Sequence, residues 1–137
     1  MKIRDVMSKD VQVARPTDTV QDVAARMAAG DFGFIPVADG DRLVGTITDR
    51  DIAVRAVGTG LGPTTPVSQA MTGTVTTVLD SDPLQAGLDA MANGKIRRLP
   101  VVDKHERLVG VVSLGDLSTR VKEKYAGEAL ETISRPD

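Results

Sequence analysis

Gly45-Thr46-Ile47-Thr48-Asp49-Arg50-Asp51 and Gly110-Val111-Val112-Ser113-Leu114-Gly115-Asp116 decide how this chain folds, because they are one heptad written twice, 65 residues apart. In each, a glycine leads two residues suited to a strand, a hydroxyl residue follows, and an aspartate stands three places after the hydroxyl. Branched residues favour strands, and a hydroxyl three residues before a carboxylate is a pattern of helix starts. Each heptad therefore predicts a strand that runs straight into a helix.

Working outward, the duplication covers nearly everything. Met7, Val11, Asp18, Gln21, Met27, Gly30, Pro36 and Val37 recur as Met71, Val75, Asp82, Gln85, Met91, Gly94, Pro100 and Val101, at a constant offset of 64 residues. One extra residue in the second copy's turn raises the offset to 65, so that Leu43-Val44-Gly45 returns as Leu108-Val109-Gly110. Two copies of one supersecondary unit explain this pattern. In each copy a short β-rich stretch (Val11 to Val13, Val75 to Val78) precedes a turn rich in Pro, Asp and Ser. A helix follows, with Val20, Val23, Ala24 and Met27 on one face, matched by Leu84, Leu88 and Met91. Gly30 and Gly94 stand where that helix stops. The strands Phe34 to Val37 and Arg98 to Val102 then lead through polar turns into the heptads.

The spacing predicts copy one over residues 1–58, a Gly- and Pro-dense linker over 59–66, copy two over 67–118 and a charged helix or tail over 119–137, fraying before Pro136. Gly58-Thr59-Gly60-Leu61-Gly62 is not read as a nucleotide loop, since such a loop opens directly into a helix and Pro63 and Pro66 interrupt here. A β-α-β-β-α copy cannot cover its own apolar sheet face. The expected fold is α/β, of the α+β kind: two tandem copies packed face to face with pseudo-two-fold symmetry and two related clefts.

Composition narrows the function. Across 137 residues the net charge is −2, cysteine and tryptophan are absent, and Phe32, Phe34 and Tyr125 are the only aromatics. Nucleic-acid binding is disfavoured, because it calls for a basic excess or stacking aromatics. Disulfides and thiolate metal sites are excluded. With no apolar signal core and no run long enough to span a bilayer, the expectation is a cytoplasmic protein without membrane contact. His105, the sole histidine, sits in the polar turn Asp103-Lys104-His105-Glu106-Arg107 with no nucleophile or second ligand near it, so no catalytic or metal site is expected. The recurrent Met7, Met27, Met71 and Met91 read as core.

The Asp5-Val6-Met7 opening, the Ile35-Pro36-Val37 and Leu99-Pro100-Val101 strands and the two heptads together resemble the cystathionine-β-synthase-type (CBS) domain pair, or Bateman module, over about residues 3 to 118. The chain looks most like the small stand-alone CBS-pair proteins of bacteria. The resemblance implies a non-enzymatic sensor that binds an adenosine-containing ligand (AMP, ADP, ATP, NAD or S-adenosylmethionine) between the copies. It also implies a homodimer formed through the helices and a downstream partner that the sequence does not name.

Ribose presents two adjacent hydroxyls to which one carboxylate can accept charge-assisted hydrogen bonds. Asp51 and Asp116 are the candidates. Thr48 and Ser113, at the strand-to-helix corners, offer hydroxyls and free helix amides to a phosphate. The same spacing also suits a helix cap that binds nothing, and one hydroxyl can serve both roles. Lys95, Arg97 and Arg98 precede the second strand; in nucleotide-binding relatives the matching positions often carry basic residues facing phosphate. Copy one has Asp31, Gly33 and Phe34 there, which puts a second equivalent site in doubt unless Arg50 or Arg55 compensates. Asp116→Ala is the substitution expected to abolish the tighter site. Val13, Phe34, Ile35, Pro36, Val78, Leu99 and Pro100 are the candidate lining of a base pocket, with the prolines freeing strand carbonyls to read the base.

Overall fold

The computed structural model describes residues 1–134, with side chains described as far as Lys124. Copy one contributes helix α1 (Val20–Gly30), strands β1 (Phe34–Asp39) and β2 (Arg42–Thr48), and a helical segment that begins as α2 (Asp49–Asp51). Copy two contributes a short β3 (Val78–Leu79), α3 (Leu84–Gly94), β4 (Arg98–Val102), β5 (Leu108–Ser113) and α4 (Leu114–Ser134). The fraying expected before Pro136 falls on residues 135–137, outside the described ones.

Each copy is a hairpin backed by its helices. β1 pairs antiparallel with β2 and β4 with β5, and both ladders slip at the same place, between Val37 and Ala38 and between Val101 and Val102. Thr19 caps α1, its Oγ1 accepting the Asp22 N–H at 3.1 Å. Val20, Val23 and Met27 of α1, and Leu84 and Met91 of α3, are buried. Both helices end through a left-handed residue, Asp31 (φ 54°) and Lys95 (φ 53°), so the turn-off falls one residue beyond the glycines that the sequence pointed to. Gly30 has another reason to be glycine: a Cβ there would run into the Phe32 ring.

The first stretch of each copy departs from the expected strand. Copy one keeps one parallel bridge, Ala14 to Val37, and copy two only Val78–Leu79 beside Val101 and Val102. Val11 to Val13 and Val75 to Thr77 run without ladder partners. The helices after the heptads also differ. Copy one tightens and loosens through a π-turn (Ile52–Ala56) and a 3-10 turn (Val57–Thr59), whereas α4 continues unbroken.

The copies exchange their leading segments. Residues 2–8 lie on the second copy, where the Ile3 N–H donates to the Asp82 carbonyl at 2.8 Å and the Arg4 N–H to the Asp80 carbonyl at 3.0 Å. Residues 66–72 lie on the first by the equivalent bonds, Val67 N–H to the Asp18 carbonyl at 2.7 Å and Ser68 N–H to the Pro16 carbonyl at 3.0 Å. Ser8 bridges Val111 just as Thr72 bridges Thr46. Each of two cores therefore contains borrowed side chains. Val67, Ala70 and Met71 join Val23, Ile35, Val37 and Ile47, while Ile3, Val6 and Met7 join Leu99, Val101, Val112 and Leu117. The two hairpins also touch at their turn ends, where the Leu108 N–H donates to the Asp41 carbonyl at 2.9 Å. The pairing of equivalent bonds is the pseudo-two-fold relation that the duplicated sequence predicts.

Candidate functional site

Two clefts open between the copies, about 570 Å³ and 380 Å³ in volume. The larger takes Thr48, Arg50 and Asp51 from the first heptad, Thr72, Thr74, Val75 and Thr76 from the stretch after the borrowed segment, and Arg97, Arg98 and Pro100 from β4 and its approach. The smaller takes the equivalents: Ser113 and Asp116, Ser8, Asp10, Val11 and Gln12, with Phe32, Phe34, Pro36 and the same Arg98. Every element needed has a local cause. The hydroxyl residue ends a strand, so its backbone leaves the ladder. The aspartate lands one helical turn later, on the same side, facing the other copy.

At the larger cleft the helix start is fully capped. Thr48 Oγ1 accepts the Asp51 N–H at 3.0 Å, and Asp51 Oδ2 accepts the Thr48 N–H at 3.0 Å. Arg55 Nε stands 3.7 Å from Asp51 Oδ1 and its Nη1 donates to the Met71 carbonyl at 3.2 Å. Arg55 thus braces the aspartate and the borrowed segment and does not line either cleft. A carboxylate oxygen has two acceptor directions, so Asp51 keeps lone pairs for a ligand hydroxyl. Capping and binding are compatible in this geometry. At the smaller cleft only half of the box forms: Ser113 Oγ accepts the Asp116 N–H at 3.1 Å, and among the described residues the exposed Asp116 carboxylate has no partner.

Arg97 does not sit with the aspartate of its own copy, whereas Arg98 borders both aspartates. Arg97 faces the Thr48–Asp51 cleft, Arg98 lines both clefts, and neither forms a salt bridge among the described residues. Arg50 lies on the same larger cleft and so adds to the basic group instead of making good its lack elsewhere. Lys95 lines neither cleft.

The base-pocket expectation needs correction at several positions. Phe34 lines both clefts, Pro36 the smaller and Pro100 the larger. Ile35, Val78 and Leu99 are buried in the two cores. Val13 is exposed and away from both clefts, its carbonyl accepting from Arg26 at 2.9 Å. The Pro36 carbonyl is likewise occupied, by the Ala14 N–H at 2.9 Å. Burial explains most of the misses, since β1 and β4 are buried in unbroken runs, Pro36 and Pro100 included, and leave little but their first residues open to a cleft. The polar runs Ser8 to Gln12 and Thr72 to Thr76 were not foreseen; their hydroxyl and amide content at matching positions of the repeat was the available signal. His105 stays in its surface turn, where its N–H donates to Asp103 Oδ1 at 2.8 Å. The Arg107 backbone N–H above all holds the Asp103 carboxyl below its ordinary range, against the opposing effect of desolvation and with lesser help from the His105 amide and the Arg107 side chain. No helix is long and apolar enough to cross a membrane among the described residues, and none of their acidic and histidine side chains group in threes as a metal site would require.

The family model described as "CBS domain" matches this chain twice, over residues 3–58 and 67–123. The CBS domain-containing protein YhcV of Bacillus subtilis is 38% identical over 133 residues, which is 96% of this chain and 94% of that protein. Hypoxic response protein 1 of Mycobacterium tuberculosis is 31% identical over 135 residues, 97% of this chain and 94% of the relative. A crystal structure of Hypoxic Response Protein I, with two coordinated zinc ions, superposes with a TM-score of 0.80 at 32% identity, covering 88% of this chain and 98% of that one. The CBS domain pair of protein MJ0100, solved in complex with 5′-methylthioadenosine and S-adenosyl-L-methionine, gives a TM-score of 0.78 at 27% identity, covering 90% of this chain and 98% of that one. With the family matched in both copies and the same α+β architecture in these solved pairs, the chain belongs to the CBS domain family, as a tandem pair.

Proposed function

We propose that this protein is a non-enzymatic regulatory module that binds an adenosine-containing ligand (AMP, ADP, ATP or NAD) in the groove between its copies and changes conformation or assembly on doing so. One observation carries the reading: Thr48 and Asp51 from one copy share a 570 Å³ cleft with Arg97 and Arg98 from the other. A carboxylate for sugar hydroxyls and guanidinium forks for phosphate then meet across the seam, and a ligand that touches both copies favours whichever relative orientation it fits best. That the similar MJ0100 pair was solved with two adenosine derivatives supports the ligand class. Site roles follow: Asp51 and Asp116 for ribose, Thr48 with Arg97 and Arg98 for phosphate, Ser113 for the 5′ end of whatever the second cleft takes, and Phe34, Pro36 and Pro100 beside the base. On this reading the tighter nucleotide site is the one at Asp51 instead of Asp116, because Arg50 and Arg97 line that cleft alone.

Calorimetric titration with AMP, ADP, ATP, NAD and S-adenosylmethionine tests this. Heat is expected from at least one, and Asp51→Ala should weaken that ligand roughly tenfold or more, since a hydrogen bond to a charged group contributes about 1.5–3 kcal/mol. No heat from any of the five rejects the ligand.

The second reading is an interaction module with unused clefts. Val54 and Val57, both more than half exposed on the helical segment after Asp51, favour it and also favour a homodimer formed through that face. Thermal melting separates the two readings. A nucleotide that binds only the folded state must raise the midpoint, whereas a midpoint that responds to protein concentration alone supports assembly without a nucleotide.

A further inference from the structure

We propose that the two clefts sort ligands by charge: the Asp51 cleft takes a phosphorylated nucleotide, and the Asp116 cleft takes a nucleoside whose 5′ end is uncharged or cationic. This rests on the nucleotide reading above and goes further by giving the two pseudo-symmetric sites different ligand classes.

The repeat makes the comparison position by position. Arg97 and Arg50 line the Asp51 cleft, and their counterparts in the repeat, Gly33 and Gly115, bring no charge to the Asp116 cleft; Phe34 and Arg98 border both clefts; and where the first has Thr74, the second has Asp10. The charged lining of the larger cleft is Arg50, Arg97 and Arg98 against Asp49 and Asp51. That of the smaller is Arg98 against Asp10 and Asp116. A phosphate entering the smaller cleft therefore meets two carboxylates and one guanidinium, and that guanidinium also borders the other cleft. Like charges at contact distance repel appreciably even in a half-solvated groove, and burying an anion without matched donors is unfavourable. A neutral sugar with a thioether, hydroxyl or sulfonium at its 5′ end escapes that repulsion. It can still use the Asp116 carboxylate, which is free of the reciprocal cap that engages Asp51.

Sharing Arg98 adds a directional consequence. A phosphate in the larger cleft draws this guanidinium toward itself and leaves the smaller cleft more acidic, so occupancy of the first by an anion should favour a cationic nucleoside in the second.

The full-length protein is titrated with ADP alone, and then, saturated with ADP, with adenosine. ADP is expected to bind once per chain, at least tenfold more weakly in Asp51→Ala and within about twofold of normal in Asp116→Ala. Adenosine is expected to bind the ADP-saturated protein, and Asp116→Ala should abolish that second event. The double variant Asp10→Thr/Phe34→Arg, which removes a carboxylate from the smaller cleft and sets a further guanidinium on the border of both, should raise the ADP stoichiometry to two. Two equal ADP sites in the unaltered protein, ADP affinity that follows Asp116, a stoichiometry of one in the double variant, or adenosine that only displaces ADP would each overturn the sorting while leaving nucleotide binding intact. Absence of heat from both probes would instead overturn the nucleotide reading on which the sorting depends.

Discussion

Thr48 shows how one hydroxyl serves structure first. It closes the helix start with its Oγ1 on the Asp51 N–H and its own N–H on the Asp51 carboxylate, both at 3.0 Å. Thr48→Ala should cost about 1 kcal/mol of stability in urea melts, the usual loss for an N-cap, and Thr48→Ser should recover most of it. A loss of ligand affinity in Thr48→Ser, with stability retained, would show instead that the methyl group matters to the cleft. At this scale the hydroxyl-to-aspartate spacing was legible because it depends on helix geometry alone. The partners of Arg97 and Arg98 were not. Sequence records their sign and their place before β4, but which copy they face depends on how the halves meet. For Ile35 and Leu99 the signal was the unbroken apolar run of each strand, which points to a strand buried on both faces and so to the core.

Among the elements, the borrowed segments depend on glycines in the receiving strands. A Cβ on Gly45 would lie 2.8 Å from the Thr72 carbonyl oxygen, and one on Gly110 would lie 2.7 Å from the Ser8 carbonyl oxygen. Backbone cannot yield as a flexible side chain does, so Gly110→Ala should destabilise the protein by roughly 1–3 kcal/mol. The amides of Ser8 and Val111, which exchange bonds of 2.9 and 3.0 Å, should then lose protection against hydrogen exchange. Unchanged protection would mean that the segment is held by its side chains alone. The leading Gly of both heptads was plain in the sequence; its purpose was not, since the carbonyl it accommodates lies dozens of residues away. The contrast between the helices was more readable. Ile52, Val54, Val57, Gly58 and Gly60 are poor helix formers, and the chain there leaves α geometry after one turn. The Lys-, Glu- and Ala-bearing stretch after Leu114 stays helical.

For the whole molecule, duplicated sequence led directly to duplicated architecture, while the exchange of segments stayed hidden because a repeat looks the same whether each copy keeps its leading strand or trades it. The trade ties the two cores together. Ile3 is fully buried in the second core although it stands at the head of the first copy. Ile3→Ala should cost about 2–5 kcal/mol. Denaturant melting followed by two probes, one in each half, should give coincident curves in the original and the variant. Separate midpoints would mean that the halves are independent units.

That trade also imposes an order on birth at the ribosome. Residues 1–58 emerge without Val67, Ala70 and Met71, so the leading half waits with an uncovered greasy seam until the stretch after the linker has cleared the exit tunnel. Residues 2–8 wait longer still, for a docking surface that the second copy supplies. The nascent chain is thus most vulnerable to proteases and chance encounters between residues 58 and 72, and the segment 2–8 is secured only after the first core has closed.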